Sequence, residues 1–534
     1  MLRLLLTLLL LNTLFVALAW PLTSTLPLLA AEALLLFGVF LWWSPTRRPR
    51  WRAMVATASG LLYVASALLI GFDYLTRTSL GRPLVVYLDF PLLRSAYDLS
   101  MTNLGGLATA MIAVFGTLAI VGTISLIARL LLRLPEVNLP ARRGLGALSI
   151  ALGMGALLLM PTGLMPVSAA ALQTLRDQTG RTAETVAGNQ SFVEELAALS
   201  DTAQPRQLAD LSGRDVLLVF IESYGMQALT HPEYADRTQA QLARMQSELS
   251  GAGLQSVSAR LKAPIEGGQS WLSHGSALSG LWIDNQIDYE AMLDSGIPTL
   301  VSDFNATGHD TLAVMPANTR EWLPGEQYGF DEVYDATNMG YAGPAMNFFT
   351  MPDQYTLSWL HHEQLSTRDS PVFAEVALIS SHAPWVPVMP ILPWAEIGDG
   401  SAYNELGQQQ PTPEELFQDQ AAVRDHYNRT LEYSLQVVSE FAQQFLADDA
   451  LLIVLGDHEA PPMVTQSPVS REVPAHFISA DASLLASMID NRSPGTLLDS
   501  LESGMIPQMA DADAALGAGM DDLRDLMNVW FGGS

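Results

Sequence analysis

The chain has 534 residues with 27 Lys and Arg against 55 Asp and Glu, a formal net charge of −28, and no cysteine. The lack of cysteine excludes disulfides, thiolate metal sites and cysteine nucleophiles. The acidic excess argues against nucleic acid as a partner, because neutralising phosphates requires clustered Lys and Arg.

Apolar residues are concentrated before about residue 168. That part carries 12 Lys and Arg and 5 Asp and Glu, a net of +7, which leaves −35 for the rest of the chain. Its apolar runs approach the roughly 20 residues needed to span a bilayer. We therefore predict a membrane domain over residues 1–167 with about five transmembrane helices, at residues 4–20, 26–43, 53–72, 107–132 and 145–165.

The first apolar run resembles a signal peptide, with Arg3 ahead of it and Ala17 and Ala19 near its end. We expect an uncleaved span instead, because a second apolar run follows within a few residues. Basic residues between spans mark cytoplasmic loops. They cluster between the second and third runs and between the fourth and fifth: Arg47, Arg48, Arg50, Arg52, Arg129, Arg133, Arg142 and Arg143.

With the amino terminus inside, an odd number of spans leaves the rest of the chain outside. We therefore predict a multi-pass protein of the inner (cytoplasmic) membrane whose catalytic domain faces the external or periplasmic side. Residues 168–212 are rich in Ala, Gln, Thr and acidic residues. They predict a juxtamembrane helical linker rather than a core, followed by an external domain over residues 213–534.

Strands and helices alternate in the external domain. Helices are predicted at residues 234–249, at 413–446 as one long helix or two in series, and at 521–530. Strands separated by helices indicate α/β architecture with a mostly parallel sheet covered on both faces. The predicted strands are residues 215–223, 254–258, 311–315, 372–379, 451–455 and, as the last, 473–479.

Polar side chains follow the apolar strand at residues 451–455. Asp457 and His458 come directly after Gly456, and the carboxyl ends of strands are where open α/β sheets place their ligands. A carboxylate and an imidazole at one strand end can hold a divalent cation, although a polar turn after a core strand gives the same pattern. Glu222 lies at the end of the first strand. It either takes part in the same functional site or forms a helix cap or an ion pair.

A glycine-rich turn precedes a predicted helix at Glu266-Gly267-Gly268-Gln269-Ser270. Ser270 then lies at a helix amino terminus, where free backbone N–H groups favour a phosphate. Taken alone, a helix-capping serine is the commoner explanation of this position. Ser273 and Ser276 compete as nucleophiles, but they fall inside the helix.

These motifs together resemble the alkaline phosphatase and sulfatase superfamily. Its pattern of Glu-Ser after the first strand, a glycine-rich turn with a hydroxyl residue, Ser381-His382-Ala383-Pro384 and Gly456-Asp457-His458 occurs here in the same order. The arrangement looks most like the branch of lipoteichoic acid synthases and periplasmic glucan phosphoglycerol transferases. The likeness covers about residues 213–480, and the predicted membrane anchor agrees with it.

The resemblance implies roles for individual residues. Glu222, Asp457 and His458 match the metal ligands, and Ser270 matches the nucleophile, which also contacts the metal. The transferases of the family usually have Thr at that position, so Ser270 departs from the pattern. Mn, Mg or Zn suits two carboxylates and one imidazole.

Two further positions match substrate-binding residues of the family. His382 matches one of them directly, and Arg320, ahead of Tyr328-Gly329-Phe330-Asp331, aligns loosely with a head-group contact. A surface salt bridge is the alternative for Arg320. His476 on the last strand either serves a second metal or is a hydrogen-bonded core histidine, and we favour the core.

The resemblance implies a membrane-anchored, metal-dependent transferase. It would move a phosphoglycerol-type head group from a membrane lipid to an external glycan or lipid through a covalent phosphoserine. A phosphodiesterase or sulfatase-like hydrolase that uses water is the alternative, although no Cys/Ser-x-Pro-x-Arg motif surrounds Ser270. An inactive envelope binding protein would have lost a ligand, and every expected position is filled. A phosphoethanolamine transferase usually carries disulfides, which this chain lacks.

Overall fold

A computed structural model describes residues 2–20, 27–43, 49–134, 138–162, 166–200, 202–346, 349–406, 410–466, 471–490, 501–507 and 518–533. The chain divides into two compact units. The first, here called the helical unit, comprises Met1–Arg77 and Arg82–Gly188. The second, the sheet unit, comprises Thr78–Gly81 and Asn189–Ser534.

The helical unit consists of long apolar helices and a short parallel pair of strands. Its elements are α1 Leu2–Ala17, β1 Leu29–Ala30, α2 Ala31–Trp42, α3 Pro49–Leu80, α4 Val86–Asp89, α5 Leu92–Leu132, α6 Leu139–Leu159, β2 Val167–Ser168 and the first part of α7 Ala170–Ser200.

Helices in this unit coincide with the apolar runs of the sequence. Among the described residues, three stretches are long and apolar enough to cross a membrane, namely Pro49–Leu80, Leu104–Leu132 and Pro140–Thr162. The first two runs form shorter apolar helices, Leu2–Ala17 and Ala31–Trp42. Arg47 and Arg48, which contribute to the predicted orientation, lie outside the described residues.

An eight-stranded sheet forms the centre of the sheet unit, in the order β10-β4-β9-β8-β3-β7-β5-β6. The strands β8, β3, β7, β5 and β6 pair in parallel, and β9 runs antiparallel between β8 and β4. The predicted mostly parallel α/β sheet is therefore confirmed. The strands are β3 Val216–Ile221, β4 Gln255–Lys262, β5 Asp310–Met315, β6 Glu332–Asp335, β7 Val372–Leu378, β8 Leu451–Gly456, β9 Glu472–Ser479 and β10 Glu502–Ser503.

Both faces of this sheet are buried. Alternate residues of β3 point to opposite sides, so that Leu217 and Val219 join one apolar cluster while Leu218 and Phe220 join the other. Covering both faces explains why β3 and β8 are continuous apolar runs instead of alternating patterns.

Helices cover the two faces. They are α8 Gln227–Thr230, α9 Ala235–Gly251, α10 Trp271–Ser279, α11 Gln286–Ser295, α12 Leu300–Thr307, α13 Pro324–Tyr328, α14 Asp353–Trp359, α15 Pro413–Leu416, α16 Gln420–Phe445, α17 Pro462–Thr465, α18 Ala482–Asp490 and α19 Leu523–Phe531. The predicted helical region at residues 413–446 is thus two helices in series.

The structure differs from the sequence-based expectation at three places. The short strand β6 was not predicted, and β10 follows β9, which was expected to be the last strand. The predicted linker also contributes to a core, because Phe192 and Leu208 are buried in the apolar cluster of the sheet unit. Trp530 and Phe531 of α19 are buried in the same cluster, so the carboxyl-terminal helix has a packing role.

Candidate active site

The order of the central strands brings the predicted metal ligands to one edge of the sheet. In the register of β3, Ile221 pairs with Leu378 of β7 on one side and with Gly456 of β8 on the other. Glu222 follows β3 directly, and Asp457 follows β8 directly. The side chains that follow the neighbouring parallel strands β3 and β8 therefore lie close together.

Glu222, Asp457 and His458 are buried and form one group whose ligand atoms lie within 4.8 Å of one another. Nε2 of His458 lies 3.2 Å from Oε1 of Glu222 and 3.8 Å from Oδ2 of Asp457. Backbone N–H groups of Ser223 and His458 donate to Oδ1 of Asp457, each at 2.7 Å. These bonds leave Oδ2 of Asp457 facing the other two ligands.

Electrostatic coupling within the group is strong. Burial acts to raise the pKa of Glu222, but the imidazoles of His458 and His382 outweigh it and hold that pKa well below its usual range. Burial and the Glu222 carboxylate raise the pKa of Asp457 far above its usual range. Burial acts to lower the pKa of His458, yet the two carboxylates raise it to about 10. Two buried carboxylates thus require a positive charge between them, either a proton or a cation.

The donor set fits a divalent cation. Nδ1 of His458 contacts the backbone oxygen of Glu459 at 2.8 Å, which makes Nδ1 the protonated nitrogen and leaves Nε2 as the ligand atom. Nε2 is buried and has no hydrogen-bond partner of good geometry among the described residues, although it faces both carboxylates. A buried polar atom without a hydrogen bond is costly, and a bound cation removes that cost.

Ser270 lies at the amino terminus of α10, as predicted. Its side chain makes no capping hydrogen bond to that helix, so the hydroxyl is not used as a helix cap. Ser270 lines a cavity of about 290 Å³ together with Glu222 and Asp457. The predicted nucleophile and two of the predicted ligands thus open into the same space.

The competing serines lie elsewhere. Ser273 and Ser276 are fully buried within α10. The Ser276 hydroxyl donates to the backbone oxygen of Leu272 at 2.9 Å and accepts from the N–H of Ile283 at 2.9 Å. Neither serine lines the cavity, so Ser270 is the accessible hydroxyl on this helix.

Unusual backbone conformations flank the site. Ser223, next to Glu222, has φ of 58°, and Gln269, next to Ser270, has φ of 68°. Residues other than glycine rarely adopt this left-handed region, and they do so mostly where a site needs a fixed geometry. The hydroxyl of Tyr427 donates to the backbone oxygen of Ser223 at 3.0 Å and supports the first of these turns.

His382 lines the cavity, whereas Arg320 does not. His382 follows β7 and is half-buried, and the neighbouring Ser381 hydroxyl donates to the backbone oxygen of Glu222 at 2.6 Å. Arg320 is exposed in the loop after β5, between Asn318 and Trp322, which both line the cavity. The structure therefore brings Ser270, His382, Glu222 and Asp457 together and leaves Arg320 at the rim.

His476 is a core histidine in this structure. One ring nitrogen contacts the hydroxyl of Tyr224 at 3.0 Å, and the other contacts the hydroxyl of Ser258 at 2.7 Å. Burial lowers the pKa of His476 to about 3, which keeps the ring neutral. With both nitrogens engaged, His476 has no lone pair left for a second metal.

One further polar pair at the cavity was missed by the sequence analysis. His274 lines the cavity, and its Nδ1 lies 2.8 Å from Oε1 of Glu375 in β7. Two signals were available in the sequence. His274 comes one helical turn after Ser270, and Glu375 is the one charged residue inside an otherwise apolar strand.

The fold and the site agree with a comparison against protein families. Residues 214–469 match the family described as Sulfatase. The matched segment lies within the sheet unit and amounts to just under half of the chain. The predicted membership of the alkaline phosphatase and sulfatase superfamily is thereby confirmed, and with it the enzyme class, a phosphotransferase or hydrolase. The matched segment contains Glu222, Ser270, His382, Asp457 and His458.

Solved structures with a similar fold include three bacterial proteins. The phosphoethanolamine transferase EptA of Neisseria meningitidis is 13% identical, with 94% of this chain and 88% of that chain covered and a TM-score of 0.47. The lipoteichoic acid synthase LtaP of Listeria monocytogenes is 15% identical, with 54% and 71% covered and a TM-score of 0.35. The phosphoglycerol transferase GacH of Streptococcus pyogenes is 14% identical, with 65% and 92% covered and a TM-score of 0.36.

These likenesses are remote, since every TM-score lies below 0.5, and they carry no argument about the substrate. Comparison with curated protein sequences gives no match. The assignment to the sulfatase family therefore rests on the family match.

Proposed function

We propose that this protein is a membrane-anchored, metal-dependent transferase that moves a phosphoglycerol-type head group from a membrane lipid to an external acceptor. The acceptor would be a glycan or a second lipid. Ser270 would carry the head group between the two as a phosphoserine diester. The sulfatase-family match supports the general class, and the donor and acceptor are our inference.

One observation carries this proposal. The Ser270 hydroxyl makes no helix cap and opens into the same cavity as Glu222, Asp457 and His382. A serine hydroxyl is a poor nucleophile at neutral pH unless a neighbouring group activates it. The buried ligand group beside the cavity supplies the place for that activation.

Glu222, Asp457 and His458 would hold one divalent cation, Mn, Mg or Zn, with the Ser270 hydroxyl as a further ligand. Such a cation lowers the pKa of a coordinated hydroxyl and polarises a phosphoryl oxygen. The amino terminus of α10, where Ser270 lies, favours a negatively charged phosphoryl group through the helix dipole. His382 would hydrogen-bond the oxygen of the departing alcohol and deliver a proton to it.

The first step forms the bond between Ser270 Oγ and phosphorus and breaks the bond to diacylglycerol. The proton of the Ser270 hydroxyl is transferred through His382 to the diacylglycerol oxygen, which leaves as an alcohol. In the second step an acceptor hydroxyl forms its bond to phosphorus and releases Ser270. If water takes the place of that acceptor, the same residues perform phosphodiester hydrolysis.

We further propose that the helical unit is a multi-pass anchor in the inner membrane with the catalytic domain on the external side. Its three long apolar helices support a membrane location. The Arg-rich segments between apolar runs favour the orientation. This location would give the active site access to lipid donors.

Release of diacylglycerol from phosphatidylglycerol vesicles tests the proposal. Full-length protein would be assayed with Mn, Mg or Zn in turn, beside Ser270→Ala. We expect metal-dependent release that the substitution abolishes. Release that persists in Ser270→Ala would contradict the covalent route. Release in which the head group appears only as free glycerol phosphate, even with glycan or lipid acceptors present, would favour the phosphodiesterase.

A further inference from the structure

The proposed two-step transfer through Ser270 assigns no role to the pair formed by His274 and Glu375. Glu375 lies inside β7 and has no exposed surface. Its Oε1 contacts Nδ1 of His274, and its Oε2 has no hydrogen-bond partner among the described residues. A carboxyl group buried within a central strand is costly. Packing alone does not account for its presence.

Two contacts fix the imidazole ring of His274. Nδ1 contacts Glu375 at 2.8 Å, and the ring stacks on Phe220 with centroids 3.9 Å apart and an angle of 22° between the planes. Glu375 accepts a hydrogen bond from Nδ1, so the other nitrogen, Nε2, carries the lone pair. Nε2 has no protein partner in the part of the chain that the structure describes.

The ring is fixed where the chemistry of the site is expected. His274 lies four residues after Ser270 on α10, and its backbone N–H donates to the Ser270 backbone oxygen at 3.1 Å. Residues at this spacing lie on the same face of a helix. His274 and Ser270 line the same cavity, together with His382 from the loop after β7.

We infer that His274 is the group that accepts the proton of the incoming hydroxyl in the second step, and that Glu375 is its positioning residue. This inference rests on the proposed function of Ser270. It deepens that function by giving the two steps separate histidines, with His382 serving the departing alcohol and His274 serving the acceptor.

The proposed step balances. The oxygen of the acceptor alcohol or water forms a bond to phosphorus, and the bond between phosphorus and Ser270 Oγ breaks. The acceptor proton moves to Nε2 of His274 and from there to Ser270 Oγ, so the imidazole and the serine return to their starting states. Glu375 keeps its hydrogen bond to Nδ1 throughout.

His274→Asn is the informative substitution. The Asn amide nitrogen occupies the position nearest to Nδ1 and can still donate to Glu375, whereas Nε2 is lost. His274→Ala would leave the buried carboxyl group without its partner and risks unfolding the domain. Ser273→Ala is the matched control, because Ser273 lies on the same helix, is fully buried, and its Oγ has no hydrogen-bond partner among the described residues.

The experiment separates the two steps with bis(p-nitrophenyl) phosphate as the donor, whose leaving group requires little protonation. Full-length protein with Mn would be quenched at a series of times. Released nitrophenolate and the mass adduct on Ser270 would both be measured, with water or added glycerol as the acceptor. A general base typically contributes roughly 100-fold or more to the step it serves.

We expect His274→Asn to form the adduct normally and to resolve it roughly 100-fold more slowly, so that the adduct accumulates above its wild-type level. Glu375→Gln should slow the same step by a smaller factor, and Ser273→Ala should match the wild type. Unchanged turnover in His274→Asn would overturn the inference, as would loss of adduct formation. Wild-type protein that turns over the donor without any Ser270 adduct would instead refute the proposed function.

Discussion

The metal site is tested most sharply by the substitution Asp457→Asn. The Asn side-chain oxygen can still accept the two backbone hydrogen bonds that Asp457 receives from Ser223 and His458, each at 2.7 Å. The negative charge facing Glu222 and His458 is lost. The fold is therefore expected to persist while the affinity for a cation falls.

The magnitude follows from linkage between binding and unfolding. A ligand present at 100 times its Kd stabilises the folded state by about 2.7 kcal/mol. The sheet unit has roughly 350 residues. With an unfolding entropy of about 2 cal/mol/K per residue, its total unfolding entropy is about 0.7 kcal/mol/K. Mn at that concentration should thus raise the unfolding midpoint by about 4 °C.

Loss of a direct ligand should weaken binding by about 100-fold or more, since even outer-shell changes cost about 10- to 100-fold. The Mn-induced shift in Asp457→Asn should then fall below about 1 °C. Asp353→Asn is the matched control, because Asp353 is also fully buried and accepts N–H groups at a strand end, from Ile379 at 2.8 Å and Ser380 at 2.9 Å. Thermal unfolding of the full-length protein with and without Mn is the assay. A full shift in Asp457→Asn would refute the metal site as described.

Three further predictions concern stability and the substrate. Burial lowers the pKa of His476 to about 3. Below about pH 6.5 the unfolded chain therefore binds a proton at this histidine that the folded chain does not bind. Acidification should then lower the free energy of unfolding by about 1.4 kcal/mol per pH unit through this residue. The unfolding midpoint of the wild type should therefore fall between pH 6.5 and pH 5 more steeply than that of His476→Gln; parallel profiles would contradict this assignment. Trp530→Ala removes a side chain that is 2% exposed and lies 5.4 Å from the Phe477 ring, and it should cost about 3–5 kcal/mol, a drop in midpoint of several degrees. A negligible change would show that α19 packs only loosely. Arg320→Ala should raise KM for an anionic lipid donor roughly 10-fold without changing the midpoint if the predicted head-group contact exists, and an unchanged KM would leave Arg320 as a surface cation.

The sequence predicted the parts of the site that depend on single strands. An apolar run that stops at a polar residue identifies the strand and the end at which Glu222, Asp457 and His458 lie, and their role as metal ligands, taken from the family resemblance, stays a prediction. Their convergence followed from parallel pairing, since neighbouring parallel strands end at the same edge. The position of Ser270 at a helix amino terminus followed from a glycine-rich turn before an apolar helix, whereas its role as nucleophile came from the family resemblance and stays a prediction.

Features that depend on long-range packing could not be predicted in the same way. Glu375 and His274 are 101 residues apart in the chain, and nothing local in either segment indicates the other. The burial of Phe192 and Leu208 was also unexpected, because a segment of mainly polar composition shows its contribution to a core only once its neighbours are known. The short strand β6 has four residues, which is too few for a clear period-two pattern.

The central claim is that Ser270 forms a covalent intermediate with the head group of a membrane lipid. Intact mass of the purified full-length protein, after incubation with Mn and a mixture of phosphatidylglycerol and phosphatidylethanolamine, measures this most directly. Our account predicts an adduct with the mass of a phosphoglycerol group on the wild type and none on Ser270→Ala. An adduct that persists in Ser270→Ala, or lipid turnover by a wild-type protein that never carries an adduct, would contradict it.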